Sequence, residues 1–210
     1  MTLADFQITR YQFRGDRPIG DSQVRSEVVH VAALELIDDA GRSGLAFIQS
    51  LFVTLPSQTE LERLFAAEWW PALQGRPAAG LVHKVGKPRG GRNRPAMLPA
   101  GEAVQVALWD LFGKQMDMPL WRLLGGEEDR ASVPCYASGL DFHLDDDAFC
   151  ELFGTADALG YSAFKIKVGH ADFDRDLHRL DLLRRSVRKG ATVMIDANEA
   201  WGAKEALMKI

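Results

Sequence analysis

Residues 5–13 (Asp-Phe-Gln-Ile-Thr-Arg-Tyr-Gln-Phe) alternate polar and apolar with period two, the signature of a half-buried strand. Residues 14–25 are polar and carry Gly15, Pro18 and Gly20, which predicts a loop. A second strand is predicted over 26–37, a turn at Asp38-Asp39-Ala40-Gly41 and a third strand over 44–52, so the chain opens as an antiparallel meander. Between Thr59 and Trp70 the positions Leu61, Leu64 and Phe65 recur at helical spacing, with Pro71 as the predicted end. The longest helical pattern covers 101–124, with Val104, Ala107, Leu108, Leu111 and Phe112 on one side. Pro119 interrupts it and Gly125-Gly126 stops it.

After Gly126 the pattern changes. Short strands are predicted over 133–138, 162–168 and 192–197, each followed by a helical stretch (145–159, 173–188 and 203–210). Strand and helix in tight alternation mean parallel βα units. The expected organisation is therefore an α+β domain over 1–126 and a βα-repeating domain over 127–210.

The third of these predicted units and the one before it carry the candidate chemistry. In Phe164-Lys165-Ile166-Lys167-Val168, Phe164, Ile166 and Val168 share one face, while Lys165 and Lys167 share the other. A parallel strand is normally buried on both faces and reads apolar throughout, so two lysines inside one are costly unless carboxylates or anions meet them. The next strand repeats the alternation, with Val193, Ile195 and Ala197 on one face and Asp196 and Asn198 on the other. Either tripeptide alone fits a solvated edge. On consecutive parallel strands, near the ends where βα barrels gather catalytic residues, the two together point to function.

Other features narrow the picture. A net charge of −4 argues against a dedicated nucleic-acid binder. No run of about 20 apolar residues suggests a membrane span, and the first ten residues lack a signal-peptide core, so a soluble cytoplasmic protein is expected. Cys135 and Cys150 lack partners at zinc-site spacing and read as two reduced thiols in packed segments. The basic, glycine-rich stretch 83–94 matches neither the P-loop nor the dinucleotide fingerprint; a surface loop and a substrate or partner contact both stay open. Asp145-Asp146-Asp147 suits a helix N-terminus. His143, His170 and His178 show no paired ligand spacing, and Trp69, Trp70, Trp109 and Trp121 read as core.

The segments Ala107-Leu108-Trp109-Asp110-Leu111-Phe112-Gly113-Lys114 and Pro119-Leu120-Trp121-Arg122-Leu123-Leu124-Gly125-Gly126 resemble the helix that closes the capping domain in the mandelate racemase/muconate lactonizing branch of the enolase superfamily. Lys165, Lys167, Asp196 and Asn198 match the positions of that family's K-x-K and metal-binding Asp. The resemblance implies an α+β capping domain followed by the first three βα units of a (β/α)8 barrel of the TIM type. It implies Mg2+ as cofactor, with Asp196 as the first of three carboxylate ligands. A small-molecule carboxylate substrate would lose its α-proton to Lys167, and the metal would stabilise the enediolate. The positive neighbours of Lys167 would favour its neutral amine. Lys165 would hold the substrate carboxylate or tune Lys167, and Asn198 would orient ligands or touch substrate. Lid segments at Arg14–Val24 and Phe47–Thr54 would set specificity. Glu199 stands where the family often has Gln.

The activity implied is that of a lyase or isomerase, acid-sugar dehydration first, with racemisation, epimerisation and cycloisomerisation open. A homo-oligomer is implied in the full-length form, with no nucleic-acid or membrane partner. Residues 131–210 are too few for a closed barrel of about 250 residues. The chain thus reads as truncated within the barrel, without the second catalytic base or the remaining ligands. By itself it is expected to be inactive, or to persist only as an oligomerising or binding module.

Overall fold

The computed structural model describes residues 1–49, 54–83, 100–130 and 132–210. Two compact units emerge: residues 1–13 with 29–131, and residues 14–28 with 132–210.

β1 (Leu3–Gly20), β2 (Arg25–Asp38) and β3 (Ser43–Gln49) lie in that order in one sheet, β2 and β3 antiparallel; the first unit holds all of it except the 14–28 end of β1 and β2. Alternation decides the buried face. Ile8, Ala32, Leu34, Leu36, Ala46 and Ile48 pack inward, together with Leu61 and Phe65 of α1 (Gln58–Glu68) and Val104, Ala107, Leu108 and Leu111 of α3 (Ala100–Gln115). Gly44 permits the close approach of β3 to α3: a Cβ there would stand 2.1 Å from the Ala107 carbonyl oxygen.

The expected loop over 14–25 is mostly strand. β1 runs on to Gly20 and β2 starts at Arg25, leaving only Asp21–Val24 as the turn. Pro18 falls on β1, which borders a single neighbour, the kind of strand in which proline is tolerated. Gly20 takes φ +149°, where a Cβ would strike the Val24 carbonyl.

Pro71 does not simply end a helix. It sits in the first turn of α2 (Trp70–Leu73), where a missing N–H does no harm. Trp69, Trp70 and Trp109 pack against the core, whereas Trp121 is 41% exposed, because the single turn α4 (Leu120–Leu123) buries none of its residues. Residues 50–52 of the third predicted strand, and 84–94 of the basic stretch, lie outside the described residues.

The turn after β2 is closed by Asp38. Its buried carboxylate accepts from the N–H groups of Ala40 (3.0 Å) and Arg42 (2.9 Å), from Arg42 Nε (3.1 Å) and from Gln115 Nε2 (3.0 Å). Burial alone would push this carboxyl up; the Arg42 N–H, the Gln115 amide, the Arg42 guanidinium and the Ala40 N–H outweigh it and hold it at about 2. A depressed folded-state value stabilises above the unfolded value and is lost as pH falls through the folded one. Asp38→Asn is therefore expected to cost about 2 kcal/mol at pH 7, a difference that mostly vanishes between pH 4 and pH 2. Urea unfolding midpoints across that range check this.

In the second unit β4 (Ala137–Ser138), β5 (Ala163–Lys167) and β6 (Thr192–Asp196) form a parallel sheet in that order. The helices α5 (Asp146–Ala158), α6 (Phe173–Ser186) and α7 (Ala203–Lys209) follow the three strands in turn. Asp145 caps α5 by accepting from the Ala148 N–H at 2.9 Å. The predicted strand over 133–138 shrinks to two residues, and Val133 is 82% exposed. Cys150 is half-buried, but Cys135 is exposed rather than packed; both thiols are free. Among the described residues no helix is long and apolar enough to cross a membrane.

Candidate active site

β5 owes its position to its even-numbered residues. Phe164, Ile166 and Val168 are fully buried with Phe149 and Phe153 of α5 and Leu183 of α6. That packing turns Lys165 and Lys167 to the opposite face. The parallel register sets Lys167 beside Asp196 and Lys165 beside Met194. Asp196 Oδ2 accepts from Lys167 Nζ at 2.9 Å and from Lys165 Nζ at 3.1 Å. Lys167 Nζ also donates to Asn198 Oδ1 at 2.6 Å. All four residues singled out in the sequence thus meet at the end of two adjacent strands.

The turn after β6 places the amide. Asn198 and Glu199 take φ of +47° and +62°, and the Asn198 N–H donates to Asp196 Oδ1 at 3.0 Å. Asn accepts the left-handed conformation readily; Glu does so less often. Burial would raise the Asp196 carboxyl, but hydrogen bonds from Lys167, the Asn198 N–H and Lys165 hold it at about 2. The bond to Asp196 in turn raises Lys165 and keeps it charged, against the opposing effect of burial. The Tyr136 ring faces the same lysine, its centroid 5.5 Å from Lys165 Nζ.

The extension 14–28 closes over the same strand ends. Ser22 Oγ donates to the Ala197 carbonyl at 3.2 Å, the Gln23 amide to that of Asn198, and Arg17 Nη2 to that of Gly139 at 3.3 Å. His143 Nε2 lies 3.2 Å from the Val24 carbonyl. The first expected lid segment, Arg14–Val24, therefore sits at the site. Of the second, Phe47 is 58% exposed on β3 and residues 50–53 lie outside the described residues.

Sequence reasoning missed the supports beneath these groups. Asp141 and Arg179, both with fully buried side chains, form an ion pair at 2.6 Å. The Asp141 carboxylate also accepts the Lys167 backbone N–H. Asp176 of α6, 1% exposed, accepts from the N–H groups of Gly169 (2.9 Å) and His170 (3.2 Å) and lies 2.5 Å from His170 Nδ1. The His170 ring stacks on Phe142 at 3.8 Å, which makes it part of the loop after β5. His178 meets Asp146 at 2.6 Å on the surface.

Among the described residues no cluster of three or more carboxylate, histidine or cysteine side chains could hold a metal. Asp196 offers a carboxylate oxygen for part of a hard cation's shell, and Mg2+ is commonly held by one or two carboxylates while it keeps several waters.

Residues 28–125 match the mandelate racemase/muconate lactonizing enzyme N-terminal domain family, and residues 150–209 match the enolase C-terminal domain-like family. The chain belongs to the mandelate racemase/muconate lactonizing enzyme family of the enolase superfamily. A curated relative is the 3,6-anhydro-alpha-L-galactonate cycloisomerase of Streptomyces coelicolor, 34% identical over 151 residues, which cover 70% of this chain and 36% of that protein. The crystal structure of a candidate mandelate racemase from Mesorhizobium loti superposes with a TM-score of 0.89 at 58% identity, covering 100% of this chain and 54% of that one. A racemase from Streptomyces coelicolor A3(2), solved with bound magnesium, superposes with a TM-score of 0.78 at 25% identity over 99% of this chain and 58% of that one. Other matched family members are named as dehydratases and epimerases. This chain spans about half of the solved relatives' length and less of the curated ones.

Proposed function

We propose that residues 1–210 form the capping domain and the base-bearing part of a magnesium-dependent enzyme that removes the α-proton of a carboxylate substrate. The observation that carries this is the hydrogen-bonded cluster in which Asp196 accepts from Lys165 at 3.1 Å and Lys167 at 2.9 Å, and Lys167 donates to Asn198 at 2.6 Å. In this reading Lys167 takes the proton. Its stem is nearly buried, so only the amine reaches the site, beside the Asn198 amide that orients it. Lys165, held charged, binds the substrate carboxylate, and Asp196 supplies one metal ligand. Bound Mg2+ would act as a Lewis acid on the substrate carboxylate while the α-proton leaves.

Acid-sugar dehydration is our first choice, because relatives named for galactonate, talarate/galactarate and arabinonate recur among the matches. Cycloisomerisation of a sugar-derived acid is the second, favoured by the cycloisomerase relative.

The test is a chimera of residues 1–210 with the part of the Mesorhizobium loti protein that this chain does not cover. In D2O with Mg2+, we expect NMR to show α-deuteration or dehydration of at least one sugar acid. A folded chimera that exchanges no carboxylate in the panel, with or without Mg2+, contradicts the proposal.

Among the described residues the 210-residue chain offers this site one carboxylate ligand, already hydrogen-bonded by the Lys165 and Lys167 side chains. Calorimetric titration is therefore expected to show Mg2+ binding weaker than micromolar; a micromolar Kd would contradict the single-ligand reading.

A further inference from the structure

β4 ends at Ser138, opposite Lys165, so the ladder on that edge of β5 stops two residues short of Lys167. Backbone groups two residues apart on a strand face the same neighbour, so the Lys167 N–H points where β4 would continue. The chain turns away there through Leu140, a non-glycine residue at φ +51°. This turn delivers Asp141, whose carboxylate oxygens lie 3.1 and 3.3 Å from the Lys167 nitrogen and take the place of the missing strand.

Arg179 then fixes Asp141 from α6. Its Nη2 donates to Asp141 Oδ2 at 2.6 Å and to the Asp141 carbonyl at 2.8 Å, its Nη1 to the Leu144 carbonyl at 3.3 Å, and its guanidinium lies 4.3 Å from the Phe149 ring centroid. Both side chains are fully buried. A buried ion pair is a poor way to gain stability, since well-packed apolar residues of similar volume are often as good or better. What an apolar pair could not do is accept the Lys167 N–H.

We propose that Asp141, neutralised by Arg179, is a positioning residue that fixes the backbone of Lys167 and so aims its amine at Asp196 and Asn198. The proposal rests on reading Lys167 as the base.

The test uses the 210-residue chain and the double variant Asp141→Leu/Arg179→Met, which removes both charges together. Amide hydrogen exchange, resolved by NMR, is compared at Lys167 and at Ile166, whose N–H lies on the other edge of the strand. The expected result is exchange at Lys167 accelerated about tenfold or more beyond that at Ile166. In the chimera the same double variant is expected to lower kcat with KM unchanged. Equal acceleration at the two amides makes the pair a general structural element and overturns the proposal. So does a double variant that fails to fold. The exchange comparison involves no substrate, so it fails or succeeds separately from the base reading, which falls if Lys167→Ala leaves α-deuteration unchanged.

Discussion

Replacing Arg179 alone by methionine is expected to destabilise the chain by about 3–5 kcal/mol, because the Asp141 carboxylate is left buried without its counter-charge. The pair is 0% exposed on both sides, so solvent cannot compensate. The same substitution also removes one of the donors to each of the Asp141 and Leu144 carbonyls. Urea unfolding at neutral pH measures the loss; less than about 1 kcal/mol would place Arg179 among ordinary surface ion pairs. The contrast with the double variant is informative, since removing both charges should restore most of the stability while leaving Lys167 without its acceptor.

The second large effect concerns the chemistry. In the chimera, Lys167→Ala is expected to reduce α-deuteration by about 10²–10⁴-fold, the range that a positioned general base contributes. Lys165→Met should act differently. A residue that binds the substrate carboxylate in ground and transition state alike raises KM more than it lowers kcat. If Lys165→Met abolishes exchange while Lys167→Ala retains it, the two roles are reversed.

Much of this site could be read from the sequence because parallel strands leave little freedom. Lysines inside a strand that ought to be apolar on both faces demand a partner, and Asp196 is the carboxylate that the next strand supplies. The register then does what alternation predicts and pairs Lys167 with Asp196. Asp141 and Arg179 send no such signal. Asp141 lies in a short connection, and Arg179 sits in a helix rich in charges such as Asp174, Arg184 and Arg185 that are mostly solvated. They are 38 residues apart, and only tertiary packing joins them.

The same limit explains the misreadings. Gly15, Pro18 and Gly20 are loop-forming residues by local rules, yet a bordering strand tolerates them, and the arm they form belongs with residues 132–210. Trp121 is apolar enough for a core, but a four-residue helix that buries none of its residues gives it no place in one. Hydrophobicity ranks residues for burial; it does not say which face of a short element finds a neighbour.

The central claim is that Asp196 binds the metal beside the amine of Lys167, and Mn2+ tests it directly on this chain. Mn2+ shares the oxygen-ligand preference of Mg2+ and broadens NMR signals of nearby nuclei. At low Mn2+ we predict selective broadening of the amide signals of Lys167, Asp196, Ala197 and Asn198, lost in Asp196→Asn. Broadening centred on Asp145–Asp147, or unchanged in that variant, would contradict the account.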